Sequence, residues 1–270
     1  EVHNLLDNLS LHTVCQEAIC PNRGECYGRG TATFLLLGPG CTRNCSFCAV
    51  GTGPAPVNPE EPTSVAEAVA RMGIKYCVLT MVTRDDLPDG GSGHIAGTIN
   101  EIRSRNPEIR VEVLVSDFRG HRPALETVIQ AGPEVLNHNL ETVPRLYPLV
   151  RPGANYRRSL DLLAQADQAH PRPVTKSGLM LGLGETIDEI VRVMADLRSA
   201  GCDVLTLGQF LSPSRRHLPV SRYVPPEEFD PLAEKAAEMG FLGCASGPYV
   251  RSSYRAEELF EKAVGSGGNI

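Results

Sequence analysis

The chain has no Trp, and only seven Phe and seven Tyr among 270 residues. Aromatic platforms on which nucleic-acid bases stack are therefore sparse. It also has no long basic run, and its formal net charge is −6 at pH 7. The concentrated positive footprint of non-specific nucleic-acid binding is missing, so no nucleic-acid partner is expected. No apolar stretch reaches the roughly 18 residues of a membrane-spanning helix. The opening EVHNLLDNLSLHTV lacks the charged-then-apolar pattern of a secretory signal. These absences predict a cytoplasmic protein that does not enter a membrane. Low-complexity segments and close repeats are absent too.

What is present is cysteine, nine residues of it, and six fall between Cys15 and Cys48. The first group reads C-x4-C-x5-C (Cys15, Cys20, Cys26) and the second C-x3-C-x2-C (Cys41, Cys45, Cys48). The apolar run Thr31 to Gly38 lies between them. A chain with 41% hydrophobic residues buries a core without covalent staples. Clusters this tight in such a chain point to metal ligation in a reducing compartment rather than to a disulfide framework. Cys77, Cys202 and Cys244 sit in apolar segments and read as core residues. The cysteine- and turn-rich region before Thr31 reads as an extension held by metal rather than by a core.

From Thr31 onward strands and helices alternate. The pattern predicts strands over Thr31–Leu37, Lys75–Val82, Arg110–Val115, Glu134–His138, Thr175–Leu181 and Asp203–Gln209. It predicts helices over Ser64–Met72 with Thr63 as N-cap, Ser92–Arg105, Pro123–Gln130, Tyr156–Ala169, Glu185–Ser199 and Pro226–Met239. Six βα units imply parallel pairing with right-handed crossovers. Periodicity alone leaves a doubly wound sheet and a partial barrel both open. In either case ligands bind beyond the carboxyl ends of the strands, where the polar residues gather. The second cysteine group follows a strand end and belongs on that face.

Three thiolates on a short loop hold three corners of a cubane iron–sulfur cluster and leave one iron open to a ligand. C-x3-C-x2-C fits no paired zinc arrangement; the looser first group, taken alone, also suits zinc or a structural role. Cys41-Thr-Arg-Asn-Cys45-Ser-Phe47-Cys48, with an aromatic before its last cysteine, resembles the radical S-adenosylmethionine enzymes. Within them the chain resembles the lipoyl synthase family over almost its whole length. The resemblance rests on CQEAICPNRGEC, GTATFLLLG, TRDDLPDGG, NHNLETVPRLY, VRPGANY, TKSGLMLGLGET, LTLGQFLSPSRRHLPV and GPYVRSSYRA.

That resemblance implies an α/β fold: a partial (β/α)6 TIM-like barrel over residues 31–240, an N-terminal extension over 1–30 and a C-terminal extension over 241–270. It implies two 4Fe-4S clusters and S-adenosylmethionine. Cys41, Cys45 and Cys48 would hold the cluster that chelates S-adenosylmethionine. Cys15, Cys20 and Cys26 would hold an auxiliary cluster, with Ser253 (or Ser252) as its fourth ligand. The residues alone would make those serines the N-cap of a following helix. The implied reaction inserts two sulfurs, taken from the auxiliary cluster, at C6 and C8 of a protein-bound octanoyl-lysine. Implied partners are an octanoylated carrier or lipoyl domain (an E2 subunit or the glycine cleavage H protein), an electron donor such as ferredoxin or flavodoxin, and an iron–sulfur carrier. The resemblance makes Phe47, within the cysteine motif, a candidate contact for S-adenosylmethionine; by placement on the strand-end face, Thr80, Asp85, Asn139, Glu141, Arg151, Lys176 and Gln209 are further candidates. His138 reads as a hydrogen-bonded core histidine. Arg215, Arg216 and His217 read either as a solvated loop or as a contact for an acidic carrier.

Overall fold

The structure is a computed structural model and describes residues 2–266. Its contacts divide the chain into two units, one of Glu1–Arg43 with Ala49–Leu136, the other of Asn44–Cys48 with Asn137–Ile270.

In the first unit, three short helices, α1 (Val2–Asn8), α2 (Val14–Glu17) and α3 (Arg23–Gly28), surround the two-residue strand β1 (His12–Thr13). β1 runs antiparallel to β2 (Thr33–Leu36), an apolar run buried on both faces. Gly40–Cys41 (β3) and Gly51–Thr52 (β4) form a small parallel ladder beside the cysteine loop. A Cβ on Gly40 would overlap the carbonyl oxygen of Gly53, so the ladder requires glycine there. Then come α4 (Glu61–Met72), β5 (Tyr76–Met81), α5 (Ser92–Arg105), β6 (Arg110–Leu114), α6 (Arg122–Gln130) and β7 (Val135–Asn137), which leads into the second unit. β2, β5 and β6 pair in parallel. Helix α5 buries Ile95, Ile99 and Ile102, one stripe at helical spacing. Each such side chain contributes about 1.5–3 kcal/mol on burial.

The second unit holds α7 (Tyr147–Val150), α8 (Tyr156–Asp167), β8 (Val174–Leu181), α9 (Ile187–Ser199), β9 (Val204–Gln209), α10 (Phe229–Glu238), β10 (Gly243–Gly247) and α11 (Ala256–Ser266). β8, β9 and β10 are all parallel. Helix α9 starts on a capping box, in which Thr186 accepts from the Glu189 N–H and the Glu189 side chain accepts from the Thr186 N–H. Its Ile190, Val193, Met194 and Leu197 join a core with Leu205, Leu207, Phe210 and Phe229.

The α/β alternation and the six expected strands are all present, with three differences. First, α4 begins at Glu61 rather than Ser64, and Glu60, not Thr63, is the N-cap. Pro62 needs no hydrogen bond in a first turn, so the helix extends through it. Secondly, a further βα unit, β10 with α11, follows the six. GCASG has no β-branched or aromatic residue, so propensity hides this strand; its register is fixed by β9. Thirdly, the N-terminal region contributes apolar core, since Leu6 and Leu11 are buried. Cys77 and Cys202 are fully buried, and Cys244 packs against the second unit's core, as expected of core thiols.

Candidate active site

The first triad is built by local structure. Thr13 caps α2, accepting from the Gln16 N–H, and its hydroxyl bonds the Tyr27 hydroxyl at 2.8 Å. This ties the helix of Cys15 to the helix of Cys26, and Cys20 lies in the turn between them. The Cys20 N–H donates to the Cys15 carbonyl, and Thr31 bonds the Cys26 carbonyl through both its N–H and its hydroxyl. Burial pushes the Cys15 thiol up, and the charges of Cys20 and Cys26 push the same way. Burial likewise raises Cys26, with Cys20 adding to it. The three sulfurs therefore sense one another. As free thiols they relieve that repulsion by staying protonated; bound iron would let them ionise.

The second cysteine loop begins with an anchored pair of residues in the first unit. Thr42 donates its N–H and its hydroxyl to the Thr83 carbonyl, both at 2.9 Å, and accepts from the Asp85 N–H. Arg43 grips two carboxylates. Its Nε and one terminal nitrogen bond Asp85 at 2.8 and 3.0 Å, and that same nitrogen bonds Asp117 at 2.6 Å. The Arg43 side chain is 8% exposed and that of Asp117 0%. Burial alone would lower the guanidinium pKa, but the bonds to Asp85 and Asp117 override it and raise it. The Arg43 N–H lies 3.4 Å from the Cys41 sulfur. Behind the loop, Leu37 adopts φ +70, a strained value for leucine. The buried Glu61 carboxylate accepts from the Leu37 N–H at 2.8 Å and bonds His94 at 2.7 Å, which holds that turn. Asp85, a sequence candidate for the cofactor, is thus engaged by Arg43. Thr80 is buried in β5.

In the second unit, Ser46 bonds the carbonyl of Leu149 through its hydroxyl and that of Val150 through its N–H. Phe47 packs against the unit's apolar core. The Leu218 N–H donates to the Ser46 carbonyl, and His217 Nε2 lies 3.1 Å from the Cys48 carbonyl oxygen. Segment 46–48 is therefore laced to the long loop after β9.

Three sequence candidates in this unit, Asn139, Glu141 and Arg151, gather with the C-terminal serine turn. Asn139 Nδ2 donates to Glu141 at 3.0 Å and to the Ser252 hydroxyl at 2.7 Å. Glu141 holds φ +66, another strained residue. Burial pushes its carboxyl up, while Arg151, Asn139 and Arg251 pull it down. Arg151 donates to the carbonyls of Asn139 and Leu140 and to the Tyr147 hydroxyl. Burial would lower its pKa, but Tyr147, Glu141 and Cys45 raise it. Ser252 and Ser253 lie in a turn ahead of α11, which begins at Ala256, so neither is its N-cap.

Two other candidates are placed differently. Lys176 is 1% exposed, within β8. The Gln209 amide is taken up by backbone, donating to the Phe210 and Arg222 carbonyls and accepting from the Val224 N–H. His138 is a core residue bonded to Ser159, as expected.

The radical SAM superfamily model matches residues 35–197. The lipoyl synthase of Nitrosococcus oceani is 58% identical over 255 residues, which cover 94% of this chain and 79% of that protein. The lipoyl synthase of Vibrio vulnificus is 56% identical over 259 residues, 95% and 81% of the two chains. This chain belongs to the lipoyl synthase family of radical SAM enzymes. Two solved structures share its fold at low identity. They are HydG, a hydrogenase maturase (TM-score 0.62, 17% identity, 85% of this chain and 54% of that one), and methylornithine synthase (0.52, 15%, 83% and 67%).

The residues present fit the groups a lipoyl synthase requires. Among the described residues no cysteine is in a disulfide, so both triads offer thiols. No three His, Cys, Asp or Glu side chains among the described residues gather closely enough to share a single ion. A cubane spreads its ligands over separate irons and needs a wider set. For S-adenosylmethionine, the fit lies in orphaned polar atoms: Asn139 Oδ1, Arg151 Nε and Thr142 Oγ1 are buried without hydrogen-bond partners among the described residues. Such atoms are costly unless a ligand satisfies them. Arg43, Glu61 and His94 escaped the sequence reading of this family's site. Their pairings span 33 to 74 residues and leave no local pattern.

Proposed function

We propose that the chain inserts two sulfur atoms at C6 and C8 of a protein-bound octanoyl-lysine, yielding the lipoyl group. The observation that carries this reading is 58% identity to a lipoyl synthase over 94% of the chain, which has both cysteine triads and the RSSY turn. When bound, one 4Fe-4S cluster with S-adenosylmethionine supplies a deoxyadenosyl radical for unactivated C–H bonds, and a second cluster supplies sulfur. Cys41, Cys45 and Cys48 hold the first cluster, and Cys15, Cys20 and Cys26 the second.

Ser253 is the fourth ligand of the second cluster. The Ser252 hydroxyl is occupied by Asn139, whereas that of Ser253 makes no hydrogen bond among the described residues. An alkoxide oxygen is a harder donor than thiolate and releases iron more readily. Asn139, Glu141 and Arg151 present polar atoms to S-adenosylmethionine, while Phe47 and Thr80 line its surroundings. Lys176 and Gln209 support that surface from within the sheet. By this reading residues 1–30 and 241–270 flank a partial barrel over 31–240. The protein works in the cytoplasm with an octanoylated E2 lipoyl domain or H protein, a ferredoxin or flavodoxin as electron donor, and an iron–sulfur carrier. Among the described residues no helix is long and apolar enough to cross a membrane.

The test is anaerobic incubation with S-adenosylmethionine, a reductant and an octanoyl-lysyl peptide. A mass gain of two sulfurs in place of two hydrogens is expected. Deoxyadenosine formed without sulfur in the peptide would sink the assignment.

A further inference from the structure

The long loop between β9 and α10 has a charge unlike the rest of the chain. Residues 210–228 contain three arginines and a histidine against two carboxylates, Glu227 and Glu228 at the far end, in a protein of net charge −6. Arg222 is taken by Glu228 at 2.9 Å. Arg215 and Arg216 are exposed, and among the described residues neither makes an ion pair. Their loop is nevertheless firmly held. At its feet Gln209 accepts from the Val224 N–H, and the Ser221 N–H donates to the Gly182 carbonyl. At its tip the Ser214 hydroxyl accepts from the Arg216 N–H and bonds His217 Nδ1 at 2.9 Å. The next residues turn inward, His217 to the Cys48 carbonyl and Leu218 to that of Ser46. Two free guanidinium groups thus stand on a braced loop whose inner side holds the Cys45–Cys48 segment. Leu211 and Tyr223, both exposed, add apolar surface at its feet.

We propose that Arg215 and Arg216 dock the protein that carries the acylated lysine, by pairing with carboxylates that flank that lysine. The inference rests on the sulfur-insertion reading above and specifies how the substrate protein is held. Arginine and tyrosine beside exposed apolar surface are residues enriched at protein interfaces. Exposed guanidinium groups without buried donors around them hold a small anion weakly. Against a protein face their charges add up and steer encounter. Bracing the loop before contact lowers the ordering cost of docking. The position next to segment 46–48 puts the docked lysine beside the loop that carries two of the cluster thiols.

The experiment compares the cluster-loaded full chain with its R215E/R216E variant on two substrates, an octanoylated lipoyl domain and a short octanoyl-lysyl peptide. Expected are a rise of about tenfold in KM for the domain and no change in KM for the peptide. Binding of a fluorescent octanoylated domain without S-adenosylmethionine should weaken by the same factor and lose most of its salt dependence. A domain with flanking carboxylates replaced by lysine should regain affinity for the variant. Equal losses on domain and peptide would overturn the inference, because the loop would then act only through His217 and Cys48. Unchanged kinetics on both would overturn it as well. If the wild-type chain adds sulfur to neither substrate, the functional reading fails instead.

Discussion

Replacing Arg43 by methionine tests whether the cysteine loop is anchored by its buried ion pair. The substitution keeps volume and removes three hydrogen bonds, two to Asp85 and one to Asp117. The two carboxylates are left in different situations. The Asp85 side chain is 24% exposed, so water takes up much of its charge. That of Asp117 is fully buried and still accepts from the Arg119 N–H at 3.1 Å. Removing one partner of a buried pair costs about 3–5 kcal/mol, mostly as uncompensated charge. The remaining backbone bond places this site near the low end, about 3 kcal/mol. For a chain of this size that is a fall of roughly 6–12 °C in Tm. The cluster-free chain is the right sample, since bound groups would mask the change by linkage. Adding Asp117→Asn to Arg43→Met should recover more than half of the loss, because a neutral amide is cheaper to bury than an unpaired carboxylate. Arg43→Lys should fall in between, as a point charge cannot reproduce the fork. A fall of less than about 2 °C for Arg43→Met, or losses that simply add in the double variant, would refute the reasoning.

Two further outcomes follow from the titrating groups. Burial holds the Glu141 carboxyl above its ordinary value of 4.5, so its contribution to stability is full below that value and is lost as pH rises through the raised one. Glu141→Gln should therefore gain on the wild type as the pH of urea unfolding moves from 4.5 to 7.5; a difference that is flat or shrinks with pH would contradict this. Burial pushes the Cys202 thiol up to about 12 and Cys77 still higher. After chelation of metal at pH 8, iodoacetamide should label cysteines of both triads and leave these two unmodified by mass spectrometry, whereas prompt labelling of Cys77 would contradict its burial.

The elements legible in the sequence are those whose pattern is local. Helix α5 runs over Ser92–Arg105 as its periodicity predicts, and strand Tyr76–Met81 differs from expectation by one residue at each end. The two cysteine groups and the serine turn were also visible, because short spacings and a family likeness carry them. What escaped depends on distant partners. β10 is a strand because β9 lies beside it, not because GCASG prefers to be one. Arg43 meets Asp117 across 74 residues, and nothing near either residue records the pairing. Gln209 stood on the expected face, yet its amide is spent on the backbone of the following loop.

The last strand region also shows how unevenly a close approach is written into a sequence. The backbone at Gly208 in β9 comes so near to the segment before the serine turn that any Cβ there would overlap the Val250 carbonyl oxygen. Only one side of that contact depends on residue identity. Position 250 offers a carbonyl that every amino acid has, so its side chain can drift while the docking persists. Position 208 must stay bare. A search for the determinants of the serine turn within the C-terminal segment would therefore miss one, because it sits far upstream, at position 208, as an absent side chain.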